Sequence, residues 1–219
     1  MSISDNLKSI KSHLGEHVTL VAVSKYSTIA EIQEAYDAGH RDFGENKAQD
    51  LEVKKESLPK DIRWHFIGHL QRNKAKYITD FIHLIHAVDS LKLLKEINKQ
   101  ALKANRVVKC LLQMHIAAED TKFGMDENEI RALLADSELS ELENISITGL
   151  MGMATNTEDS TKVNAEFKQL KNLFDSLKSG ALPGNVHMET LSMGMSQDYE
   201  IALANGSTMV RIGSAVFKS

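Results

Sequence analysis

The chain has 219 residues, of which 42% are hydrophobic and 26% are charged. This is the composition of a globular protein, and it excludes an intrinsically disordered chain, which contains too few apolar residues to form a core. The formal net charge is −4 at pH 7 and the basic residues are scattered along the sequence, which argues against a general nucleic-acid-binding protein.

Strands and helices alternate from the N-terminus onward. After a short helix near residues 4–14, the run 17–25 is almost continuously apolar and β-branched, which is typical of a strand buried on both faces. Residues 28–39 have apolar side chains at helical spacing between a capping threonine and a terminal glycine. The same reasoning predicts further strands at 40–45, 62–68, 84–88, 107–115, 145–153, 186–193 and 208–212. Helical patterns lie between them at 47–58, 71–79, 91–104, 127–135, 162–177 and 196–204.

About eight strand–helix units without an intervening linker predict an α/β protein, a single (β/α)8 TIM barrel over residues 1–219. An open doubly wound sheet is disfavoured because the sequence has no Gly-x-Gly-x-x-Gly turn. In barrels of this kind the active site forms at the C-terminal ends of the strands. The polar residues that follow each strand are therefore the candidate functional residues.

Lys25 ends the most apolar of the predicted strands. A lysine in this position is partly desolvated, and a partly neutral amine is the form that makes a Schiff base with a carbonyl compound. The alternative is a lysine whose side chain extends from the barrel mouth into water. Position alone leaves both interpretations open.

Hydroxyls and glycines lie at the ends of the last two predicted strands. Residues 192–196 run from Ser192 to Ser196 just before a predicted helix, and Gly213 and Ser214 follow the final strand. Free backbone N–H groups at such turns bind phosphate, and the loops after strands seven and eight are the usual phosphate site of this fold. The alternative is that the serines only cap helices and the glycines only turn the chain. Taken together, the two segments favour a phosphate-bearing ligand.

Arg211 lies on the same side of the last strand as Met209. A guanidinium in an apolar strand needs an acceptor because it does not lose its proton. One interpretation is a buried ion pair with a glutamate such as Glu189. The other is a donor directed at a ligand atom.

Metal binding and export are not expected. His65 and His69 have the spacing of a zinc-binding helix but lie on a strand and lack its glutamate, so we predict no metal. The single cysteine, Cys110, excludes a disulfide framework and a Cys-based zinc site, and we interpret it as an inert core residue. The first residues lack the apolar core of a signal peptide, and no stretch approaches the ~20 apolar residues of a membrane span. We expect a cytoplasmic protein.

Seven blocks of the sequence resemble the pyridoxal phosphate homeostasis protein family. They extend in order through the chain at residues 21–25 (VAVSK), 43–46 (FGEN), 64–74 (WHFIGHLQRNK), 121–124 (TKFG), 149–153 (GLMGM), 191–199 (LSMGMSQDY) and 209–213 (MVRIG). The resemblance implies a barrel like the N-terminal domain of alanine racemase that carries pyridoxal 5′-phosphate and lacks that enzyme's C-terminal β-domain.

The resemblance also assigns a role to individual residues. It places the Schiff-base lysine at Lys25, a cofactor-proximal asparagine at Asn46 and the arginine facing the pyridine nitrogen at Arg211. The phosphate-holding groups fall on Ser192, Gly213 and Ser214. The sequence departs from the family at His115, where relatives usually have asparagine.

Three functions are compatible with these residues. The first is a non-catalytic protein that binds, stores or delivers pyridoxal phosphate, with cofactor-dependent apo-enzymes as recipients. The second is a weakly active enzyme resembling an amino-acid racemase, and the third is a cofactor-free lyase in which Lys25 reacts with a sugar phosphate. An arginine partner leaves the pyridine ring unprotonated and a weak electron sink, and the chain has no second domain to supply a tyrosine acid, so binding is favoured. The lyase is disfavoured because Glu45 and Asp89 are the only obvious carboxylates at strand ends. We expect a monomer that binds neither nucleic acid nor membranes.

Overall fold

The structure, a computed structural model, describes residues 2–119 and 123–218. Within these ranges the strands form a closed parallel barrel, and their order in the barrel is their order in the sequence. The strands are β1 (Thr19–Val23), β2 (Asp42–Glu45), β3 (Arg63–Phe66), β4 (Leu84–Val88), β5 (Val108–Met114), β6 (Ile145–Gly152), β7 (Val186–Met195) and β8 (Met209–Ile212). The predicted (β/α)8 barrel is confirmed, and each strand overlaps its predicted segment.

The helices surround the barrel. They are α1 (Ile3–His13), α2 (Ile29–Asp37), α3 (Ala48–Ser57), α4 (Leu91–Lys103), α5 (Glu127–Ala135), α6 (Ser137–Ser140), α7 (Ser160–Lys178), α8 (Tyr199–Ala204) and α9 (Ser214–Phe217). A 3₁₀ helix, Arg72–Tyr77, replaces the α-helix predicted at 71–79. This segment carries several basic residues and buries only Ala75, so it lacks the apolar stripe that holds an α-helix on a barrel.

The starts of α2 and α8 can be compared with their predicted positions. The Thr28 side chain accepts a hydrogen bond from the Glu31 backbone N–H, and the Glu31 carboxylate accepts one from the Thr28 N–H, so the predicted cap of α2 is confirmed. Helix α8 begins three residues later than predicted, at Tyr199, because β7 continues to Met195. The Asp198 carboxylate then accepts a hydrogen bond from the Met195 N–H across the intervening turn.

Apolar side chains form two layers. The larger cluster lies between the strands and the helices and includes the fully buried Phe43, Leu94 and Phe167. A smaller cluster draws on five strands and fills part of the barrel interior: Val21, Leu84, Ala87, Leu111, Met151 and Met209. Cys110 is buried and free as predicted, and burial raises the pKa of its thiol. No helix in the described ranges is long and apolar enough to cross a membrane.

Several histidines on or next to the barrel strands are buried or partly buried. Burial lowers the pKa of His40 to about 4 and that of His83 to about 4 from an ordinary value of 6.5. It also lowers the pKa values of His65 and His86, which are both completely buried. All four side chains are therefore neutral in the folded protein near pH 7.

Acidification is expected to destabilise the fold through these histidines. His40 in the unfolded chain takes up a proton below about pH 6.5, whereas in the folded protein it stays neutral down to about pH 4. The neutral His40 therefore leaves the free energy of unfolding unaffected by pH above 6.5. As the pH falls from 6.5 to 4, the free energy of unfolding decreases by ~1.4 kcal/mol per pH unit. Urea unfolding at a series of pH values measures this slope.

A matched pair of variants isolates the effect. His40→Gln should flatten the slope between pH 6.5 and pH 4 by about one proton, because the titrating group is gone. His187→Gln, at an exposed position on β7, should leave the slope unchanged. Equal slopes for His40→Gln and the wild-type protein would contradict the assignment.

Candidate functional site

A cavity of about 560 Å³ opens at the C-terminal ends of the strands. Its volume is within the ~300–1,000 Å³ range of small-molecule sites. The predicted site residues that line it are Lys25, Asn46, Arg211, Gly213 and Ser214. The fold therefore brings together five of the six residues that the sequence indicated. Lys25 and Asn46 follow the first two strands, and the other three lie on the last strand or directly after it.

Lys25 follows β1 at the rim of this cavity. Its side chain is half-buried, and its Nζ lies 5.2 Å from the centre of the Tyr26 ring. Within the described residues, no hydrogen bond or salt bridge to the Lys25 amine is formed. The amine is thus available to a ligand in the cavity.

Asn46 is held at the mouth by a close approach of two strand ends. It follows β2, and Gly68, which follows β3, passes directly against it. A Cβ atom on Gly68 would lie only 2.4 Å from the Asn46 carbonyl oxygen. Only glycine fits at this contact, which brings Asn46 to the wall of the cavity.

Arg211 is a buried cation at the bottom of the cavity. Its Nη1 donates to Ser192 Oγ (2.6 Å) and its Nη2 donates to the Gly152 carbonyl oxygen (3.0 Å). Burial lowers the pKa of Arg211 to about 10, so the guanidinium stays protonated at neutral pH. Glu189 is exposed, and no salt bridge between Arg211 and a carboxylate is present in the described part of the chain. The alternative of an ion pair with Glu189 is therefore wrong.

Ser192, which the sequence predicts to hold a phosphate, does not line the cavity. Its side chain is completely buried, and its Oγ lies beneath Arg211 and 3.0 Å from His86 Nδ1. Ser192 lies within β7, as it does within the predicted strand 186–193, and it is not at the strand end that opens on the cavity. The strand is irregular between Ser192 and Met195 and continues two residues beyond its predicted end.

Ser196 lines the cavity in its place, together with Gly213 and Ser214. Gly213 packs against the end of β1, where a Cβ atom would lie 3.1 Å from the Val23 carbonyl oxygen. The sequence indicates both Ser192 and Ser196 as phosphate ligands. The structure distinguishes them, because Ser192 lies inside β7 and Ser196 follows its last residue. The short helix α9, which begins at Ser214, gives no periodic signal in the sequence and was not predicted.

The other carboxylates considered for acid–base chemistry lie elsewhere. Glu45 is completely buried, and its Oε1 accepts hydrogen bonds from the Ser24 hydroxyl (2.6 Å) and Lys54 Nζ (2.7 Å). Asp89 contacts His69 Nδ1 at 3.3 Å and lines a separate surface cavity. Neither lines the cavity that contains Lys25.

The sequence also singles out His115 and the block at 121–124. His115 Nε2 contacts the Ala117 carbonyl oxygen at 2.8 Å, and His115 does not line the cavity. Thr121 and Lys122, from the block at 121–124, lie outside the described residues.

Among the residues that the structure describes, one group of side chains has ligand atoms close enough to surround a metal ion. Asp42, His65 and His83 place one such atom each within 4.8 Å of one another. Both Asp42 oxygens already accept hydrogen bonds from Arg63, at 2.7 and 2.5 Å. The positive charge of this guanidinium disfavours a cation at the same position.

Comparison with known proteins places the chain in a family. Residues 1–219 match the family described as alanine racemase, N-terminal domain. The chain is 40% identical over 204 residues to the pyridoxal phosphate homeostasis protein of Helicobacter pylori, covering 92% of this chain and 87% of that protein. The chain belongs to this family. It is also 35% identical to the family member of Escherichia coli, covering 98% of this chain and 92% of the relative.

Solved structures agree with this assignment. PipY of Synechococcus elongatus, a protein described both without and with PLP bound, is 36% identical, and each alignment covers 98% of this chain and 99% of PipY. The TM-scores are 0.92 without PLP and 0.88 with PLP. Alanine racemase of Bartonella henselae, at 16% identity and a TM-score of 0.73, shares the fold alone, and this chain spans 58% of its length. The resemblance found in the sequence is confirmed.

Proposed function

We propose that the protein binds pyridoxal 5′-phosphate at the barrel mouth and stores or delivers it, as part of cofactor homeostasis, without turning over an amino acid. The observation that carries the proposal is that one cavity contains a lysine amine without a hydrogen-bond or salt-bridge partner among the described residues and a buried arginine that is protonated at neutral pH. Relatives named pyridoxal phosphate homeostasis proteins and the PLP-bound structure of PipY support it.

The residues present fit the chemical groups of this cofactor. When bound, pyridoxal phosphate supplies an aldehyde that condenses with a primary amine, and Lys25 provides that amine. Arg211 provides an N–H donor for the ring nitrogen, and Asn46 lines the same cavity. We assign the phosphate to the hydroxyls of Ser196 and Ser214 and to the backbone at Gly213. In this assignment Ser196 takes the role that the sequence indicated for Ser192.

The surroundings of Lys25 favour retention over turnover. Because Arg211 keeps its proton, it leaves the ring nitrogen as an acceptor, and a ring without its own proton is a weak electron sink. Glu31 lines the cavity, but hydrogen bonds from the Thr28 backbone and hydroxyl lower the pKa of its carboxyl and make it a poor base. Removal of a proton from a bound amino acid therefore has little assistance from these groups.

One observation favours the second candidate, a weak racemase-like enzyme. The Tyr26 ring lies beside Lys25, and a phenol in that position could exchange a proton with a bound amino acid. The Tyr26 side chain is 88% exposed, however, so it is solvated and is not packed into the cavity wall. The cofactor-free lyase has less support, since Glu45 and Asp89 do not reach the cavity.

We further propose that residues 1–219 act as one cofactor-binding domain and that the protein functions as a monomer in the cytoplasm. The groups assigned to the cofactor lie together in one cavity of the chain, which supports a single-chain site. The recipients in this proposal are apo-enzymes that use the same cofactor.

A protected-transfer assay tests storage against delivery. The loaded protein is mixed with a pyridoxal-phosphate-dependent apo-enzyme in the presence of a phosphatase that destroys free cofactor. Delivery predicts that the apo-enzyme regains activity under these conditions, whereas an equal amount of free cofactor fails to restore it. If the bound cofactor survives but the apo-enzyme stays inactive, delivery is wrong and storage remains. A protein that retains no cofactor through gel filtration would contradict the proposed function itself.

A further inference from the structure

A line of buried polar side chains crosses the barrel from the cavity to its opposite end. It begins at Arg211, whose Nη1 lies 2.6 Å from Ser192 Oγ, and continues from Ser192 Oγ to His86 Nδ1 at 3.0 Å. His86 Nε2 lies 2.9 Å from His65 Nδ1, and His65 Nε2 lies 3.0 Å from Asp42 Oδ1. The side chains of Ser192, His86 and His65 are completely buried.

The two ends of this line fix the direction of every hydrogen bond in it. Arg211 can only donate. At the other end, burial alone would raise the pKa of Asp42, but hydrogen bonds from Arg63 and His65 outweigh it and hold the pKa well below its usual value. Asp42 is thus a carboxylate that can only accept.

Only one arrangement of protons satisfies all the groups between these ends. Arg211 donates to Ser192, the Ser192 hydroxyl donates to His86 Nδ1, His86 Nε2–H donates to His65 Nδ1, and His65 Nε2–H donates to Asp42. If both nitrogens of His86 were protonated, the Ser192 hydroxyl hydrogen would lose its acceptor. A doubly protonated His86 would also place a further positive charge near Arg211 in the buried interior.

The composition of this line is unusual for a barrel interior, which is generally filled by branched apolar side chains. Apolar side chains of similar volume would remove the need to satisfy buried polar atoms. Neither the attachment of the cofactor to Lys25 nor the binding of its phosphate requires His65 or His86. The hydrogen bonds of these two histidines lead instead through Ser192 to Arg211.

We propose that His86 and His65 are positioning residues for Arg211. Their fixed tautomers turn the Ser192 hydroxyl hydrogen away from Arg211, so that a lone pair of Ser192 Oγ faces Nη1. With the Gly152 carbonyl holding Nη2, the guanidinium plane is set, and a remaining N–H is directed toward the ligand ring. This inference rests on the proposed function, in which Arg211 contacts the ring nitrogen of the cofactor.

The tautomers can be measured on the protein as purified, without added cofactor. In nitrogen-15 spectra at pH 7, His65 and His86 should both be neutral, with the proton on Nε2 and none on Nδ1. A proton on Nδ1 of either ring, or a doubly protonated ring, would overturn the proposal.

A second experiment tests the effect on Arg211 with ligands that differ at one atom. The wild-type protein should prefer pyridoxal phosphate by at least about tenfold over an analogue with a C–H in place of the ring nitrogen, since a charge-assisted hydrogen bond is lost. Ser192→Ala removes the acceptor that orients Nη1, and should reduce this preference to less than about threefold. Ser207→Ala is the matched control, because Ser207 is also buried and bonds only to backbone carbonyls of Leu191, Met193 and Met209.

The outcomes separate this inference from the proposed function. Full discrimination in Ser192→Ala, or equal loss in Ser192→Ala and Ser207→Ala, would overturn the positioning role. Failure of the wild-type protein to retain either ligand would instead refute the proposed function. The tautomers of His65 and His86 would then still test the direction of the hydrogen bonds between Arg211 and Asp42.

Discussion

Replacement of Lys25 by alanine is expected to abolish covalent retention of pyridoxal phosphate. Lys25 lines the cavity, and its amine has no protein partner in the described ranges, so it provides the amine for attachment. The wild-type protein, incubated with cofactor, reduced with borohydride and passed through a desalting column, should keep one pyridoxyl group per chain. Lys25→Ala treated in the same way should keep essentially none.

The matched control is Lys103→Ala, at an exposed position on α4. It should retain the cofactor like the wild-type protein, which shows that loss of a surface lysine has no effect. Peptide mass analysis should place the wild-type adduct on Lys25. Lys218 also lines the cavity, and an adduct on Lys218 with stoichiometric labelling of Lys25→Ala would refute the assignment.

Loss of the hydroxyls of Ser196 and Ser214 is expected to remove the preference for a phosphorylated ligand. Hydrogen bonds to a charged group contribute about 1.5–3 kcal/mol each, so the double variant Ser196→Ala/Ser214→Ala should bind pyridoxal phosphate at least about tenfold more weakly. Its affinity for pyridoxal, which has no phosphate, should change little. Titration of the visible absorption with both ligands measures the two affinities.

Two single variants sharpen this test. Ser192→Ala should weaken pyridoxal phosphate and pyridoxal by a similar factor, because Ser192 acts on the ring through Arg211 and not on the phosphate. Ser12→Ala, at an exposed position on α1, should alter neither affinity. An unchanged preference for the phosphorylated ligand in the double variant would show that the phosphate binds elsewhere.

The barrel could be predicted because its elements carry strong local signals. Strand β1 is a continuous apolar run, and α2 and α4 have an apolar stripe behind a capping residue, so each is specified by residues near in sequence. The rule that active sites form at the C-terminal ends of barrel strands then places Lys25 and Arg211 at one mouth. Their approach to a single cavity follows from the topology without further information.

The details that could not be predicted depend on contacts between distant residues. β7 pairs irregularly with β8 between Ser192 and Met195, and Ser196, the first residue after the strand, lines the cavity where Ser192 does not. The hydrogen bond between His86 and Ser192 joins residues 106 positions apart, and no local pattern marks either as a partner of the other. Helix α9 has four residues, too few for a periodic signal.

The most direct measurement of binding without turnover is an assay of the loaded protein with each common L-amino acid. D-isomer, keto acid and amine are quantified over time, because together they report racemisation, transamination and decarboxylation. Typical enzymes turn over at ~10 s⁻¹, and the absence of a well-placed acid or base costs a factor of ~10²–10⁴. We expect every product to form far more slowly than ~1 s⁻¹ while the cofactor stays bound. Formation of any product at about 1 s⁻¹ or faster would contradict a carrier and identify the protein as an enzyme.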